Sequence, residues 1–322
     1  MDKRLMEGWQ RDFPLRARPF ASIAARLGCD EGTVLQRLER LVASGAVSRV
    51  GATVRPNSVG ASTLAALAAP AGRIDEIGGR VAAEPGVNHC YARENPWNLW
   101  FVVTGPDRHH VTAALRRIVR ASGLTVLNLP LRRAYHVDLG FALTGACVKQ
   151  HRKDDLDMSA LQPGDDAILQ GLTTGLALVS RPWRTLARAH RRSEAQVIAR
   201  VRALAAAGIV TRLGLILRHR ALGWSANAMV VWRVPPAARD RAGAALAAAP
   251  GVTLAYARRP DARRWPFNLY AMVHGKSREE TLDIIAAATR EAGLGLAPRQ
   301  VLFSTRCYAQ RGALLRRVGE AA

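Results

Sequence analysis

The apolar positions of the chain follow a helical spacing first and an alternating spacing later, and this order occurs twice. In the first copy, Phe20, Ile23 and Leu27 recur at helical intervals, and a second apolar stripe follows Asp30, a residue type that caps helix N-termini. A short stretch over 47–54 then alternates and is rich in β-branched residues. The second copy repeats the pattern, with Ser193 as the expected cap. The pattern predicts a helix, a turn, a helix and a β wing in each copy.

The remainder of each copy alternates strands with helices. In the first copy, the pattern predicts strands over 62–69, 87–93, 99–103 and 125–137 and helices over 74–83 and 110–121. In the second copy, it predicts strands over 226–234, 252–258, 268–274 and 299–308 and helices over 237–248 and 278–292. This βαββαβ order is that of a ferredoxin-like domain.

Matching short segments indicate that the chain is a duplication. For example, Pro85-Gly86-Val87 recurs as Pro250-Gly251-Val252. The expected fold is therefore α+β, a tandem duplication of a winged helix-turn-helix and a ferredoxin-like βαββαβ domain that forms a covalent pseudo-dimer. The predicted boundaries are 1–55 and 56–148 for the first half, 149–160 for a linker, and 161–218 and 219–322 for the second half. We expect the two sheets to lie side by side or back to back.

The charge of the chain narrows the classes of ligand. The formal net charge is +22, and most of the basic residues are arginines, which bind carboxylates and phosphates bidentately. Such a charge suits nucleic acid or a polyanionic small molecule, although a genomic bias toward arginine codons would explain it equally well. The sequence has no apolar run long enough for a membrane span and no signal-peptide pattern. We therefore expect a cytoplasmic protein without a membrane partner.

A winged helix-turn-helix followed by a βαββαβ domain resembles the Lrp/AsnC family of transcription regulators. Longer motifs are more similar to one branch of that family, the siroheme decarboxylases. The first half is similar to the NirD type and the second to the NirL type, over 86–93, 96–101 and 134–141 and over 256–258, 265–270 and 306–313. The chain thus resembles a fusion of the two types.

The resemblance implies a reaction. Siroheme decarboxylases remove the carboxyl groups of two acetate side chains of siroheme, which leaves methyl groups and gives didecarboxysiroheme for heme d1 or alternative heme biosynthesis. The resemblance also implies that no added cofactor is required, because siroheme is the substrate and its macrocycle can accept the electrons left by carbon dioxide. The implied partners are the tetrapyrrole and other heme d1 biosynthesis proteins.

The predicted catalytic residues are those that can deliver a proton. His89 is the first candidate, because the second copy has Leu254 at the matching position and a requirement of the fold would appear in both copies. His136 is the second candidate, and Tyr91 and Tyr135 accompany these histidines. Either histidine could instead ligate the iron of siroheme, and His89 could instead hold a carboxylate.

The predicted substrate-binding residues are arginines for carboxylates and aromatic or amide side chains for the macrocycle and its edges. They are Arg93, Arg132, Arg133, Arg258, Arg306, Tyr256, Tyr308, Trp97, Trp100, Asn98 and Asn268. We predict no set of metal ligands. The structural alternatives are solvent-exposed strand ends for the arginines, core packing for the aromatic residues and turn capping for the asparagines.

Two other functions fit the same fold. A DNA-binding regulator would use arginines such as Arg37, Arg40, Arg200 and Arg202, but the second helix of the first copy begins with Asp30-Glu31-Gly32, a poor start for phosphate contact. We therefore do not expect specific DNA binding. A tetrapyrrole sensor would keep the pocket and would not need the proton donor.

Overall fold

A computed structural model describes residues 1–137 and 156–317, which divide into two compact units. Of the described residues, 1–60, 156–222 and 311–317 form the first unit, and 61–137 and 223–310 form the second. Each unit therefore combines matching parts of both sequence copies. The segment after Gln310 belongs to the first unit, whereas the sequence pattern places it in the domain over 219–322. Most of the predicted linker, and residues 138–141 of the first-half motif, lie outside the described residues.

The elements follow the predicted order. The helices are α1 (Asp2–Gly8), α2 (Pro19–Leu27), α3 (Glu31–Ala43), α4 (Ile74–Ala83), α5 (Arg108–Ser122), α6 (Asp165–Thr174), α7 (Pro182–Ala189), α8 (Glu194–Ala206), α9 (Pro236–Ala248) and α10 (Arg278–Glu291). The strands are β1 (Val47–Val54), β2 (Ala61–Leu67), β3 (Val87–Arg93), β4 (Leu99–Gly105), β5 (Val126–Val137), β6 (Val210–Leu217), β7 (Ala226–Trp232), β8 (Val252–Arg258), β9 (Leu269–Gly275) and β10 (Arg299–Gln310). No helix in the described ranges is long and apolar enough to cross a bilayer.

The helix-turn-helix segments begin where polar side chains satisfy the first amides of a helix. The Asp30 side chain accepts a hydrogen bond from the Thr33 amide, and Ser193 forms a reciprocal capping box with Gln196. Both predicted caps are confirmed. The structure adds α1 and α6, which precede the two predicted helices of each copy and which the sequence pattern did not indicate.

The predicted wings pair with each other. Strands β1 and β6 form a two-stranded antiparallel sheet in which Gly51 lies opposite Gly214. Glycine is required at position 214, because a Cβ there would lie 2.3 Å from the carbonyl oxygen of Trp9. One apolar core runs through both copies and includes Phe20 and Trp183. The first unit is therefore a pseudo-dimer of winged helix-turn-helix domains.

The second unit is a closed barrel with the strand order β10-β3-β4-β2-β5-β8-β9-β7. The long strands β5 and β10 join the copies: β5 pairs with β2 up to Pro130 and with β8 from Leu131, and β10 pairs with β7 up to Phe303 and with β3 from Ser304. The two ferredoxin-like sheets thus lie side by side and are continuous at both edges, which leaves no unpaired edge strand.

Alternation along the strands gives the barrel two faces. Helices α4 and α5 cover the outer face of the first copy, and α9 and α10 cover that of the second. The inner face carries a separate cluster that contains no helix residue and includes Trp100, Trp265, Phe267, Tyr270 and Met272. Polar side chains on this inner face are the candidates for ligand contact.

Candidate active site

Three predicted site residues form a row along β3. His89, Tyr91 and Arg93 alternate along the strand, so their side chains share a face. The His89 and Tyr91 rings are stacked, with centroids 6.5 Å apart and 24° between their planes. The Arg93 guanidinium carbon lies 5.6 Å from the centroid of the Tyr91 ring. We call these three residues the His89 row.

Exposure decreases along the His89 row. His89 is half-buried, whereas Tyr91 and Arg93 are 9% and 6% exposed. The row therefore leads from an accessible imidazole to a buried guanidinium, an order that suits a proton donor in front of an anion-binding group.

Strand β8 carries the matching row of the second copy, Leu254, Tyr256 and Arg258. The Arg258 guanidinium carbon lies 5.0 Å from the centroid of the Tyr256 ring. Burial raises the pKa of Tyr256 to about 12, so its hydroxyl stays protonated at neutral pH. The two rows differ in residue type at one place only, where His89 is matched by Leu254.

The two arginines are held by the opposite copy. Arg93 Nη1 donates to Asn227 Oδ1 at 3.3 Å and to the Leu302 carbonyl at 3.0 Å, while Nη2 lies 3.9 Å from the Met272 sulfur. Arg258 Nη1 donates to the Leu129 carbonyl at 3.1 Å. Each guanidinium thus reaches across a strand pairing that joins the copies.

Arg258 is a buried cation whose described neighbours include no carboxylate. Burial lowers the pKa of its guanidinium, and the groups that oppose this effect are Tyr256 and Tyr270. Buried charges in proteins are generally paired, because an isolated one is costly to desolvate. An anionic group on a ligand would supply the missing charge, and a carboxylate fits the planar guanidinium bidentately.

Arg133 and Tyr135 lie elsewhere, on the outer face against α9. The Tyr135 hydroxyl donates to Asp240, and Arg133 Nη1 donates to the same carboxylate at 3.0 Å. The Tyr135 ring covers Gly243, where a Cβ would lie 2.3 Å from a ring carbon. Burial, followed by Asp240, raises the pKa of Tyr135 to about 12. We call Arg133, Tyr135, Asp240 and Gly243 the first tyrosine clamp.

The second copy has the same arrangement. The Tyr308 hydroxyl and Arg306 Nη1 both donate to the Asp75 carboxylate at 2.6 Å, and the Tyr308 ring covers Gly78. We call Arg306, Tyr308, Asp75 and Gly78 the second tyrosine clamp. Because each clamp fastens the end of a long strand to a helix of the other copy, its four members have a shared structural role. The structure therefore does not bring Arg133, Tyr135, Arg306 or Tyr308 to the His89 row.

The two predicted asparagines hold backbone. Asn98 accepts from the Ala69 amide at 2.9 Å and donates to the Ala69 carbonyl at 2.8 Å. Asn268 makes the same pair of bonds to Val234, at 3.0 and 2.8 Å. Both ends of each amide group therefore have backbone partners, which corresponds to the structural alternative rather than to substrate binding.

The predicted tryptophans, Trp97 and Trp100, belong to a cluster of aromatic residues. Trp100 is 2% exposed, its ring lies 5.0 Å from that of Trp265, and its indole nitrogen donates to the Trp97 carbonyl. Trp265 in turn contacts Phe267 at 4.9 Å. Only Trp97 of this group is half-buried and retains surface for a ligand.

His136 and Arg132 lie on the second part of β5. His136 is half-buried and stands opposite Ala255, which packs in the outer core of the second copy. Arg132 is exposed at a bulge between Leu131 and Arg133. Strands β4 and β2 separate β5 from β3 in the barrel, so the structure does not place His136 or Arg132 in the His89 row.

One polar group on the inner face was not predicted. His274 is 3% exposed and hydrogen-bonds Asn227, the residue that holds Arg93. The sequence gives His274 no nearby companion, but it does contain a signal: the first copy has Thr104 at the matching position. The copy asymmetry that points to His89 points equally to His274. In the described ranges, no group of His, Cys, Asp and Glu side chains could hold a metal ion.

Arginines invoked for DNA contact have partners within the first unit. Arg200 pairs with the buried Asp165 and donates to the Ala160 carbonyl, and Arg202 donates to the Leu15 carbonyl at 3.3 Å. These bonds stabilise the helix-turn-helix pair and leave less of each guanidinium for phosphate.

Comparison with known proteins identifies the same family in both copies. Residues 59–136 and 221–309 match the AsnC-like ligand binding domain, and residues 2–47 and 165–210 match the siroheme decarboxylase NirDL-like HTH domain. The four matches alternate along the chain as the duplicated architecture requires.

Similarity also extends over the whole chain. It is 54% identical to the siroheme decarboxylase NirDL subunit of Paracoccus denitrificans, over 99% of this chain and 98% of that one. It is 31% identical to the siroheme decarboxylase of Hydrogenobacter thermophilus, over 92% and 89%. A crystal structure of the siroheme decarboxylase NirDL in co-complex with an iron-uroporphyrin III analogue matches with a TM-score of 0.66 at 27% identity, over 98% and 93%. The chain belongs to the siroheme decarboxylase NirDL family.

Proposed function

We propose that this protein removes carboxyl groups from two acetate side chains of siroheme and yields didecarboxysiroheme for heme d1 or alternative heme biosynthesis. The observation that carries the proposal is the similarity to siroheme decarboxylases over the full length of both copies. The iron-uroporphyrin III analogue in the related crystal structure supports a tetrapyrrole as the ligand.

The inner face of the barrel supplies what an anionic tetrapyrrole needs. Arg93 and Arg258 are fixed, buried cations, each beside a tyrosine. We assign them to bind carboxylates of the substrate, with Tyr91 and Tyr256 as neutral hydrogen-bond donors. Because these arginines are shielded from bulk water, each ion pair between a guanidinium and a substrate carboxylate is stronger than it would be in water.

The reaction needs a bond cleavage and a proton. The bond between the acetate methylene carbon and its carboxylate breaks, and carbon dioxide leaves without the electron pair. That pair is delocalised into the macrocycle of the substrate, and a proton then converts the methylene carbon to a methyl group. No net oxidation occurs, so the balance requires only one proton for each carbon dioxide. Removing water from the carboxylate raises its energy relative to the charge-dispersed transition state.

We assign proton delivery to His89. Its imidazole is the accessible member of the row, and a histidine carries and releases protons near neutral pH. Because Leu254 cannot transfer a proton, the row of the second copy is assigned to binding alone. His136, which is matched by Ala309 of the second copy, is the second candidate donor.

A variant that installs the residue of the other copy, with a conservative variant at the matching position as control, tests this assignment. His89→Leu should bind siroheme and lower the rate of single-turnover decarboxylation by about 10²–10⁴-fold. Leu254→Met, at the matching position, should react like the wild type. His136→Ala is measured alongside them. Unchanged turnover in His89→Leu would exclude His89 as the donor, and an equal loss in His136→Ala would make both histidines proton-transfer groups.

Arg258→Gln tests the binding role separately. It keeps a polar side chain of similar length and removes the charge, so siroheme affinity should fall by about tenfold or more. Affinity equal to that of the wild type would show that the buried guanidinium does not contact the substrate.

A further inference from the structure

His274 lies on the inner face of the second copy, at a point where side chains from three strands meet. Its Nδ1 is 2.9 Å from Thr253 Oγ1, and its Nε2 is 2.8 Å from Asn227 Nδ2. Asn227 lies directly opposite His274 in the pairing of β7 with β9. Both side chains are 3% exposed, and Asn227 Oδ1 accepts from Arg93 Nη1.

The hydrogen bonds of this group fix its proton positions. The Thr253 hydroxyl donates to the Met272 carbonyl at 3.1 Å, so its oxygen accepts from His274 Nδ1–H. His274 Nε2 is then the acceptor for the Asn227 amide nitrogen. Asn227 is thereby oriented with its oxygen toward the guanidinium of Arg93. The opposite amide orientation would set the NH₂ group of Asn227 against a guanidinium N–H, with two donors facing each other.

The first copy has different residues at all three positions. Thr104, Ser62 and Asn88 match His274, Asn227 and Thr253. Thr104 instead donates to the Gly86 carbonyl at 3.2 Å. A requirement of the fold would appear in both copies. Because His274, Asn227 and Thr253 occur together in the second copy alone, they point to a function that concerns Arg93 and not Arg258.

We propose that His274, acting through Asn227, is a positioning residue for Arg93, and that the second copy in this way prepares the substrate-binding arginine of the first copy's row. This inference rests on the proposed function for its substrate. The two halves then have unequal roles, because β7, β8 and β9 of one half orient a guanidinium that belongs to β3 of the other.

Two substitutions at position 274 separate the roles of the two ring nitrogens. The amide oxygen of His274→Gln reaches the place of Nε2 and can still accept from Asn227, whereas the amide of His274→Asn reaches only the place of Nδ1. In His274→Asn, Asn227 loses the acceptor that orients it, and Arg93 therefore loses its hydrogen bond to Asn227. This variant should weaken siroheme binding by about tenfold. His274→Gln should restore most of that loss. Thermal unfolding of both variants checks that they are folded.

The Arg93→Lys background shows whether His274 acts through the arginine. If it does, adding His274→Asn to Arg93→Lys should weaken binding little further. The proposal is overturned if His274→Asn binds siroheme like the wild type, if the Gln and Asn variants are equally impaired, or if the two losses multiply.

A measurement without substrate keeps this inference distinct from the proposed function. In ¹⁵N spectra of histidine side chains, with His274 assigned by its absence in His274→Gln, the ring should be neutral with its proton on Nδ1. A proton on Nε2 would overturn the proposal even if siroheme is decarboxylated. The Nδ1 form would support it even if the substrate proves to be another anionic tetrapyrrole.

Discussion

The tyrosine clamps predict a sharp difference between two adjacent glycines. Gly78 and Gly79 are neighbours in α4, but a Cβ at Gly78 would lie 2.6–2.8 Å from three carbons of the Tyr308 ring, whereas a Cβ at Gly79 would meet nothing within 4 Å. The Tyr308 ring cannot move away easily, because its hydroxyl donates a hydrogen bond to Asp75 at 2.6 Å. Gly78→Ala therefore forces the ring, and with it the end of β10, away from the helix.

Two opposing effects determine how Gly78→Ala changes the free energy of unfolding. Overpacking of this kind costs about 1–3 kcal/mol. Alanine in place of glycine inside a helix contributes about 1 kcal/mol in the other direction. Gly79→Ala has only the second effect and should be mildly stabilising. The two variants should therefore differ by about 1–3 kcal/mol in the free energy of unfolding, with Gly78→Ala the less stable.

Urea unfolding of the protein, followed by tryptophan fluorescence, measures this difference. Repeating Gly78→Ala in a Tyr308→Ala background tests its cause, because the penalty should vanish once the ring is gone. Equal midpoints for Gly78→Ala and Gly79→Ala would refute the close packing of ring on glycine. A penalty that persists without Tyr308 would assign the loss to the helix itself.

Four further substitutions test other parts of the structure. Asn98→Ala and Asn268→Ala should each lower the free energy of unfolding by about 1–3 kcal/mol, since backbone groups lose their partners, and leave siroheme affinity unchanged in a binding titration. Ser193→Ala should destabilise the first unit by about 1 kcal/mol in urea unfolding, because α8 loses its N-cap. The hydrogen bond from Tyr135 lowers the pKa of Asp240, so this carboxylate stabilises the fold above its unfolded pKa of about 3.9 and the benefit is lost as pH falls through the lower folded value. The stability gap between wild type and Asp240→Asn should accordingly shrink on acidification, and a constant gap would contradict the linkage.

Local patterns in the sequence were sufficient to predict both domain types and most elements of the barrel. Helix caps, alternation and turn residues act over a few positions, and they predicted β3 and β8 with the bounds that the structure has. The pairing of β5 with β8 and of β10 with β3 was beyond these patterns, because one strand that changes partners midway looks like any other long strand.

Local patterns also could not show that some predicted site residues lie away from the His89 row. Tyr135 and Tyr308 stand beside arginines in family motifs, so their position suggested chemistry, whereas each packs on a glycine of the other copy. A signal was present: Gly78 and Gly243 occupy matching positions of the repeat, as fold requirements do. Asymmetry between the copies is a different kind of signal, and it applies to His89, His136 and His274.

The fate of siroheme in heavy water shows whether this protein decarboxylates siroheme and protonates the product. Purified protein is incubated anaerobically with siroheme in deuterated buffer, and the pigment is analysed by mass spectrometry. We expect products that have lost one and then two molecules of carbon dioxide, with one carbon-bound deuterium from the solvent for each molecule lost. Siroheme that is bound and recovered unchanged would refute decarboxylation and favour a tetrapyrrole sensor. Decarboxylated pigment without carbon-bound deuterium would refute proton delivery by a solvent-exchanging group such as His89.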